Sequence, residues 1–195
     1  MRPQSSSVTP SMAVTRFLLF VLLAPNVWGD DALWQALKTE PNLVVFMRHA
    51  QPAGGDPLKW DQSGNCEGES MLTLDGKAHA KRIGDAFSAR GIKPIVISSP
   101  MCRCRDTAEI AFGHGGVTDG ELREVASADS ARMKNFEGRA VELITTQRGS
   151  MPVVFVSHRP NIDLLTMELI ESGDLLVARV NKNGEVLVVG KIRVP

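Results

Sequence analysis

Three short runs in this chain are apolar at nearly every position: residues 43–47 (Leu43-Val44-Val45-Phe46-Met47), 94–98 around Ile95-Val96-Ile97, and 152–157 around Val153-Val154-Phe155-Val156. A strand with one face in water alternates apolar and polar side chains, so a strand apolar on both faces has to be covered on both. Runs of this length suit strands and are too short for buried helices. Between the runs the spacing changes to steps of three and four. Gly76, Ala80, Ile83 and Phe87 form one such stripe that ends near Gly91, and Met133, Phe136, Ala140, Leu143 and Ile144 form another before Gly149. Residues 103–112 stop at Gly113, a further helix starts near Pro160 and carries Ile162, Leu165 and Leu169, and residues 31–40 make a short helix ended by Pro41. Buried strands alternating with amphipathic helices predict an α/β fold, a three-layer α/β/α sandwich with a mainly parallel central sheet. The C-terminus departs from the alternation: residues 175–180, the turn Asn181-Lys182-Asn183-Gly184 and residues 185–189 read as an antiparallel hairpin at a sheet edge.

The chain has 195 residues, a suitable size for one such domain, and no internal repeat. Its first 29 residues differ from the rest. Arg2 and Arg16 precede the apolar run 17–24, no acidic residue occurs before Asp30, and Val27-Trp28-Gly29 places small side chains where a signal peptidase reads them. The run is far shorter than the ~20 residues a membrane-spanning helix needs. We therefore expect residues 1–29 to be a signal peptide cleaved after Gly29, residues 30–195 to be the single mature domain, and the protein to be exported, periplasmic or secreted, without stable membrane insertion after cleavage. Losing the two arginines leaves 20 basic against 22 acidic side chains, a net charge of −2. That balance supplies no field for a polyanion, so nucleic acid is not an expected partner. Export also makes the three cysteines, Cys66, Cys102 and Cys104, a disulfide question. Cys102 and Cys104 are too close in sequence for an unstrained bridge, which leaves Cys66 paired with either one.

In open α/β sheets ligands bind beyond the carboxyl ends of the strands. The first run ends in Arg48-His49, the second in Ser98-Ser99-Pro100 with Arg103 and Arg105 just beyond, and the third in Ser157-His158-Arg159. Two imidazoles and several guanidiniums converging on one sheet edge describe a receptor for a dianion, because arginine's planar fork of donors matches phosphate oxygens. A neutral histidine there can attack phosphorus in line, and the leaving oxygen then needs a proton from a carboxylic acid. No metal or cofactor is required by that chemistry. Residues 51–70, polar and without periodicity, begin beside His49 and read as a wall or lid. His79 reads as a helix-face residue and His114 as a loop residue.

At these positions the chain resembles the histidine phosphatase superfamily, also called the phosphoglycerate mutase-like or acid phosphatase family, and in particular its small exported bacterial members. The resemblance spans residues 43–170. It rests on the strand ending in Arg48-His49-Ala50, the helix start Leu72-Thr73-Leu74-Asp75-Gly76, the segment Ser98-Ser99-Pro100 followed by Arg103 and Thr107-Ala108, and the strand ending in Ser157-His158. Ala50 stands where the family usually has glycine. The resemblance implies that His49 becomes the phosphohistidine, that Arg48, Arg103 and His158 hold the phosphoryl group, and that the proton donor lies in Leu122-Arg123-Glu124. Glu124 is the choice, with Glu121 and Asp119 as alternatives. It also implies a Cys66–Cys102 disulfide. The function so implied is hydrolysis of a phosphomonoester, its substrate a small-molecule, sugar or lipid phosphate. Two other readings compete: a phosphate-binding or sensing module without turnover, and a cell-envelope copper binder built on Met101-Cys102-Arg103-Cys104.

Overall fold

The computed structural model describes residues 30–126 and 129–195; residues 1–29, the expected signal peptide, lie outside the described residues. Its framework is a six-stranded sheet in the order β5-β4-β6-β1-β7-β8. The strands are β1 (Leu43–Arg48), β4 (Ile95–Ser98), β5 (Val117–Thr118), β6 (Val153–Ser157), β7 (Leu175–Val180) and β8 (Val186–Ile192), while β2 (Pro52–Ala53) and β3 (Met71–Leu72) pair separately. Strands β5, β4, β6 and β1 are mutually parallel; β7 runs antiparallel to β1, and β8 closes the hairpin at the edge. Among the described residues five α-helices flank the sheet: α1 (Asp30–Thr39), α2 (Leu74–Ala89), α3 (Cys102–Phe112), α4 (Ser130–Thr146) and α5 (Arg159–Thr166).

The two-sided apolar runs now have their explanation. Along β1, Val45 and Met47 pack with α1, α2 and α3 on one face, whereas Val44 and Phe46 pack with α4 and α5 on the other. Along β6, Val154 and Val156 join the first cluster, and Val153 and Phe155 the second. The alternation of side chains along a strand thus feeds two cores, which makes three layers.

The helix starts are equally local in origin. Thr73 caps α2 by accepting from the Gly76 N–H at 2.8 Å. Gly76 itself is forced by a close approach: a Cβ there would lie 2.3 Å from the Gln51 carbonyl oxygen, in the chain that leaves His49. The same holds at Gly84, where a Cβ would lie 2.1 Å from the Ala111 carbonyl, so α2 and α3 cross nearly backbone to backbone.

Some boundaries differ from expectation. Met167 adopts a left-handed conformation (φ 57°) and ends α5, so Leu169 lies in the following loop and is exposed. Strands β2, β3 and β5 have two residues each, too short to leave a periodic trace in sequence. Among the described residues no helix is long and apolar enough to cross a membrane.

Candidate active site

The sheet order sets the site. β6 lies between β4 and β1, although it follows both in sequence, with Arg48 level with Ser157 and Ser98 level with Val156. Two backbone bonds extend the ladder past the strand ends, His49 N–H to Ser157 O at 3.0 Å and Ser99 N–H to Val156 O at 2.9 Å. His49, Ser99 and His158 therefore leave the sheet side by side.

Arg103, in the first turn of α3, is fully buried and stands at the centre. Its Nε donates to His49 Nε2 at 3.3 Å, and its Nη2 donates to His158 Nδ1 at 3.0 Å and to the carboxylate of Glu124. One guanidinium thus spans both histidines and the acid. Its Nη1, like Nε of Arg48, is buried without a protein partner. Two buried donors without acceptors are costly unless an anion meets them. Arg48 is also held by the Ile170 carbonyl at 3.4 Å and lies 3.5 Å from Glu171.

The imidazole protonation follows from its partners. His49 Nδ1 lies 2.9 Å from the Ala50 carbonyl, which can only accept, so Nδ1 carries the proton and Nε2 presents its lone pair. Burial, reinforced by Arg103 and Arg48, pulls the His49 pKa down to about 3 and keeps the ring neutral. His158 has the opposite tautomer: Nδ1 accepts from Arg103, and Nε2 donates to Ser99 Oγ at 2.7 Å. It is fully buried, and burial with Arg103 beside it likewise holds it neutral. The rings meet edge to face, with centroids 5.4 Å apart. Thr107 secures the strand end that carries His49 to α3: its Oγ1 accepts from Ala50 N–H at 3.1 Å and donates to Arg103 O at 2.7 Å.

Glu124 shares Arg103 with His49, and its side chain is 19% exposed, reachable from solvent. Burial raises its pKa, outweighing the lowering by the Arg103 ion pair. The two alternatives lie elsewhere. Glu121 pairs with Arg132 at 2.6 Å and Asp119 with Arg139 at 2.9 Å, both on α4, and neither contacts the histidines or Arg103.

Residues 51–70 form a fastened wall. Cys66 and Cys102 are disulfide-bonded across 36 positions; Arg105 donates to Gly64 O, and Glu69 accepts from the Cys102 N–H at 2.8 Å. The Pro57 carbonyl accepts from Arg103 at 2.9 Å, and the Arg123 guanidinium stacks on Trp60 at 4.4 Å. Arg105 therefore serves the wall, and Arg159 is exposed at the start of α5. His79 bonds Val194 O at 2.7 Å and His114 is exposed, so neither joins the site. With Cys102 in a disulfide and Cys104 fully buried, the Cys102–Cys104 pair offers no two thiolates to copper, and no group of three or more His, Cys, Asp or Glu side chains that could hold a metal occurs among the described residues. Ser99, Thr107, Glu69 and Asn161 also support the site, through bonds to His158, Ala50, Cys102 and Val125. Ser99 and Thr107 belong to the segment Ser98-Ser99-Pro100 to Thr107-Ala108, whereas nothing in the sequence marks Glu69 or Asn161.

A neutral imidazole and two arginines at the carboxyl edge of a parallel sheet define a phosphoryl-handling α/β enzyme. Residues 44–182 match the family model of the histidine phosphatase superfamily, branch 1, and the chain belongs to that family of phosphoric monoester hydrolases. Solved structures share the fold. An open reading frame product from Mycobacterium tuberculosis is 20% identical, with 75% of this chain and 95% of that one covered and a TM-score of 0.55. The protein histidine phosphatase SixA in complex with tungstate is 14% identical, at 77% and 96% coverage and a TM-score of 0.54. A phosphoserine phosphatase from Entamoeba histolytica in complex with 3-phosphoglyceric acid is 12% identical, at 77% and 96% coverage and a TM-score of 0.53. The search of curated proteins found no match.

Proposed function

We propose that this chain is an exported phosphatase that hydrolyses a small phosphomonoester through a phosphohistidine on His49. The observation that carries this reading is the single Arg103 guanidinium holding His49 Nε2 at one end and Glu124 at the other. A phosphoryl group seated on Arg48 and Arg103 draws the Arg103 donors onto its own oxygens and so releases the His49 Nε2 lone pair, which faces it on one side with a carboxylic acid on the other. Nε2 forms the N–P bond as the P–O bond to the leaving group breaks, and that oxygen takes its electron pair and the Glu124 proton. The Glu124 carboxylate then removes a proton from water, whose oxygen attacks the phosphoryl group and returns His49 with inorganic phosphate. His158 serves the phosphoryl group through Arg103, whose guanidinium it holds by accepting at Nδ1.

Sugar and lipid phosphates both suit the proposal, with selection by the wall at residues 51–70. That SixA binds tungstate and the Entamoeba enzyme 3-phosphoglyceric acid supports a pocket for small tetrahedral oxyanions and phosphoesters. Residues 1–29 act as the cleaved signal; sequencing exported material from Asp30 checks this. A binding module without turnover is disfavoured by the acid that shares Arg103 with the nucleophile. The direct test is His49→Ala, which should abolish both p-nitrophenyl phosphate hydrolysis and the acid-labile phosphoenzyme. Turnover that survives this change would refute the mechanism.

A further inference from the structure

Glu124 follows a 3-10 turn (Gly120–Leu122) and belongs to no helix or strand, so backbone pairing within an element cannot fix its position. Its hold comes from another element. Asn161, on α5 and fully buried, donates from Nδ2 to the Arg123 carbonyl at 2.9 Å and accepts at Oδ1 from the Val125 N–H at 3.0 Å. One amide thus clasps the residues on both sides of Glu124 and leaves the Glu124 side chain free to reach Arg103. α5 starts immediately after His158, its N-cap, so the clasp also references the acid to the strand end that carries the second histidine.

We propose that Asn161 is the positioning residue for the proton donor, setting where the Glu124 carboxyl stands relative to the leaving oxygen. The inference rests on Glu124 being the acid. The Asn161 side chain bonds the backbone of Arg123 and Val125 and not the histidines, Arg48 or Arg103, so its loss should spare phosphate binding and impair proton delivery. The demand for a proton depends on the leaving group: an alkoxide needs one, whereas p-nitrophenolate departs as an anion. A clasp that aims the acid therefore affects the two substrates unequally, while a residue that only stabilises the fold affects them alike.

The test compares kcat/KM, which reports steps through phosphoenzyme formation, for glycerol phosphate and p-nitrophenyl phosphate. Asn161→Ala should lower the alkyl value roughly 10- to 100-fold and the aryl value by less than about threefold, since small misplacements of catalytic groups carry costs of that order. Glu124→Gln should show the same split, and the double variant should be little worse than Glu124→Gln alone. Arg132 still donates to the Arg123 carbonyl at 3.3 Å, which keeps part of the segment tied in the alanine variant. Should that variant not fold, Asn161→Asp keeps the shape and the acceptor for Val125 while setting an oxygen against the Arg123 carbonyl, and the same split is expected. Equal losses on both substrates from the Asn161 variants, with Glu124→Gln still split, overturn the positioning role alone. No split in Glu124→Gln overturns the assignment of the acid, and the inference with it.

Discussion

The His49 and Glu124 ionisations are displaced in opposite directions, and the pH dependence follows from that. His49 must be neutral to attack, and its pKa of about 3 keeps it so at all higher pH, so this requirement fails only as pH falls through about 3. Glu124 must be protonated to act as the acid, and burial raises its pKa, so that requirement fails as pH rises through a value above the usual carboxylate range. The kcat/KM profile should therefore be a bell with an acidic optimum. Glu124→Gln should lower kcat/KM for an alkyl phosphate and remove its alkaline limb. The substrate's own second ionisation, near pH ~6, affects both enzymes alike, so the difference between their profiles is diagnostic. Identical alkaline limbs in the two would show that another group supplies the proton. At this scale the histidines and arginines were legible because strand ends announce themselves: an apolar run stops and a charged pair begins. Asn161 was not, because its partners are backbone atoms 36 and 38 positions away, and backbone leaves no mark in sequence.

Between elements, the most consequential connection is the Cys66–Cys102 bridge, which fastens the wall to the first residue of α3, one position before Arg103. Closing a loop across 36 positions stabilises the fold by about 4 kcal/mol in the chain-entropy treatment, and observed values centre on about 2–4. Reduction, or Cys66→Ser, should therefore lower the melting temperature by roughly 2–4 °C for each kcal/mol in a chain of this size. It should also raise KM, since the Pro57 carbonyl on the same wall bonds Arg103. Thermal melts and initial rates with and without reductant measure both. A melting temperature unmoved by reductant would show that the other ties hold the wall unaided. Helices and central strands were readable here because each carries its own period. The wall's course was not, since it depends on one disulfide and scattered bonds rather than on any repeating pattern.

Across the molecule, the sheet order does what no local signal could. β6 is inserted between β1 and β4, so three segments distant in sequence end on one edge, and the site is held by the whole fold. Parallel neighbours were an expectation from two-sided burial, while the order β4-β6-β1 emerges only when all the crossovers pack together. A tetrahedral oxyanion bound to Arg48 and Arg103 would join the end of β1 to the start of α3, which follows β4, through contacts that the unfolded chain lacks. Binding to the folded state alone stabilises by RT ln(1 + [L]/Kd), about 2.7 kcal/mol at a hundredfold excess over Kd. Orthovanadate at that concentration should raise the melting temperature by roughly 5–10 °C. Arg103→Ala removes the guanidinium that spans the site, so its melting temperature should barely respond to the same addition. An equal rise in both proteins would place the anion elsewhere and separate the pocket from the chemistry assigned to it.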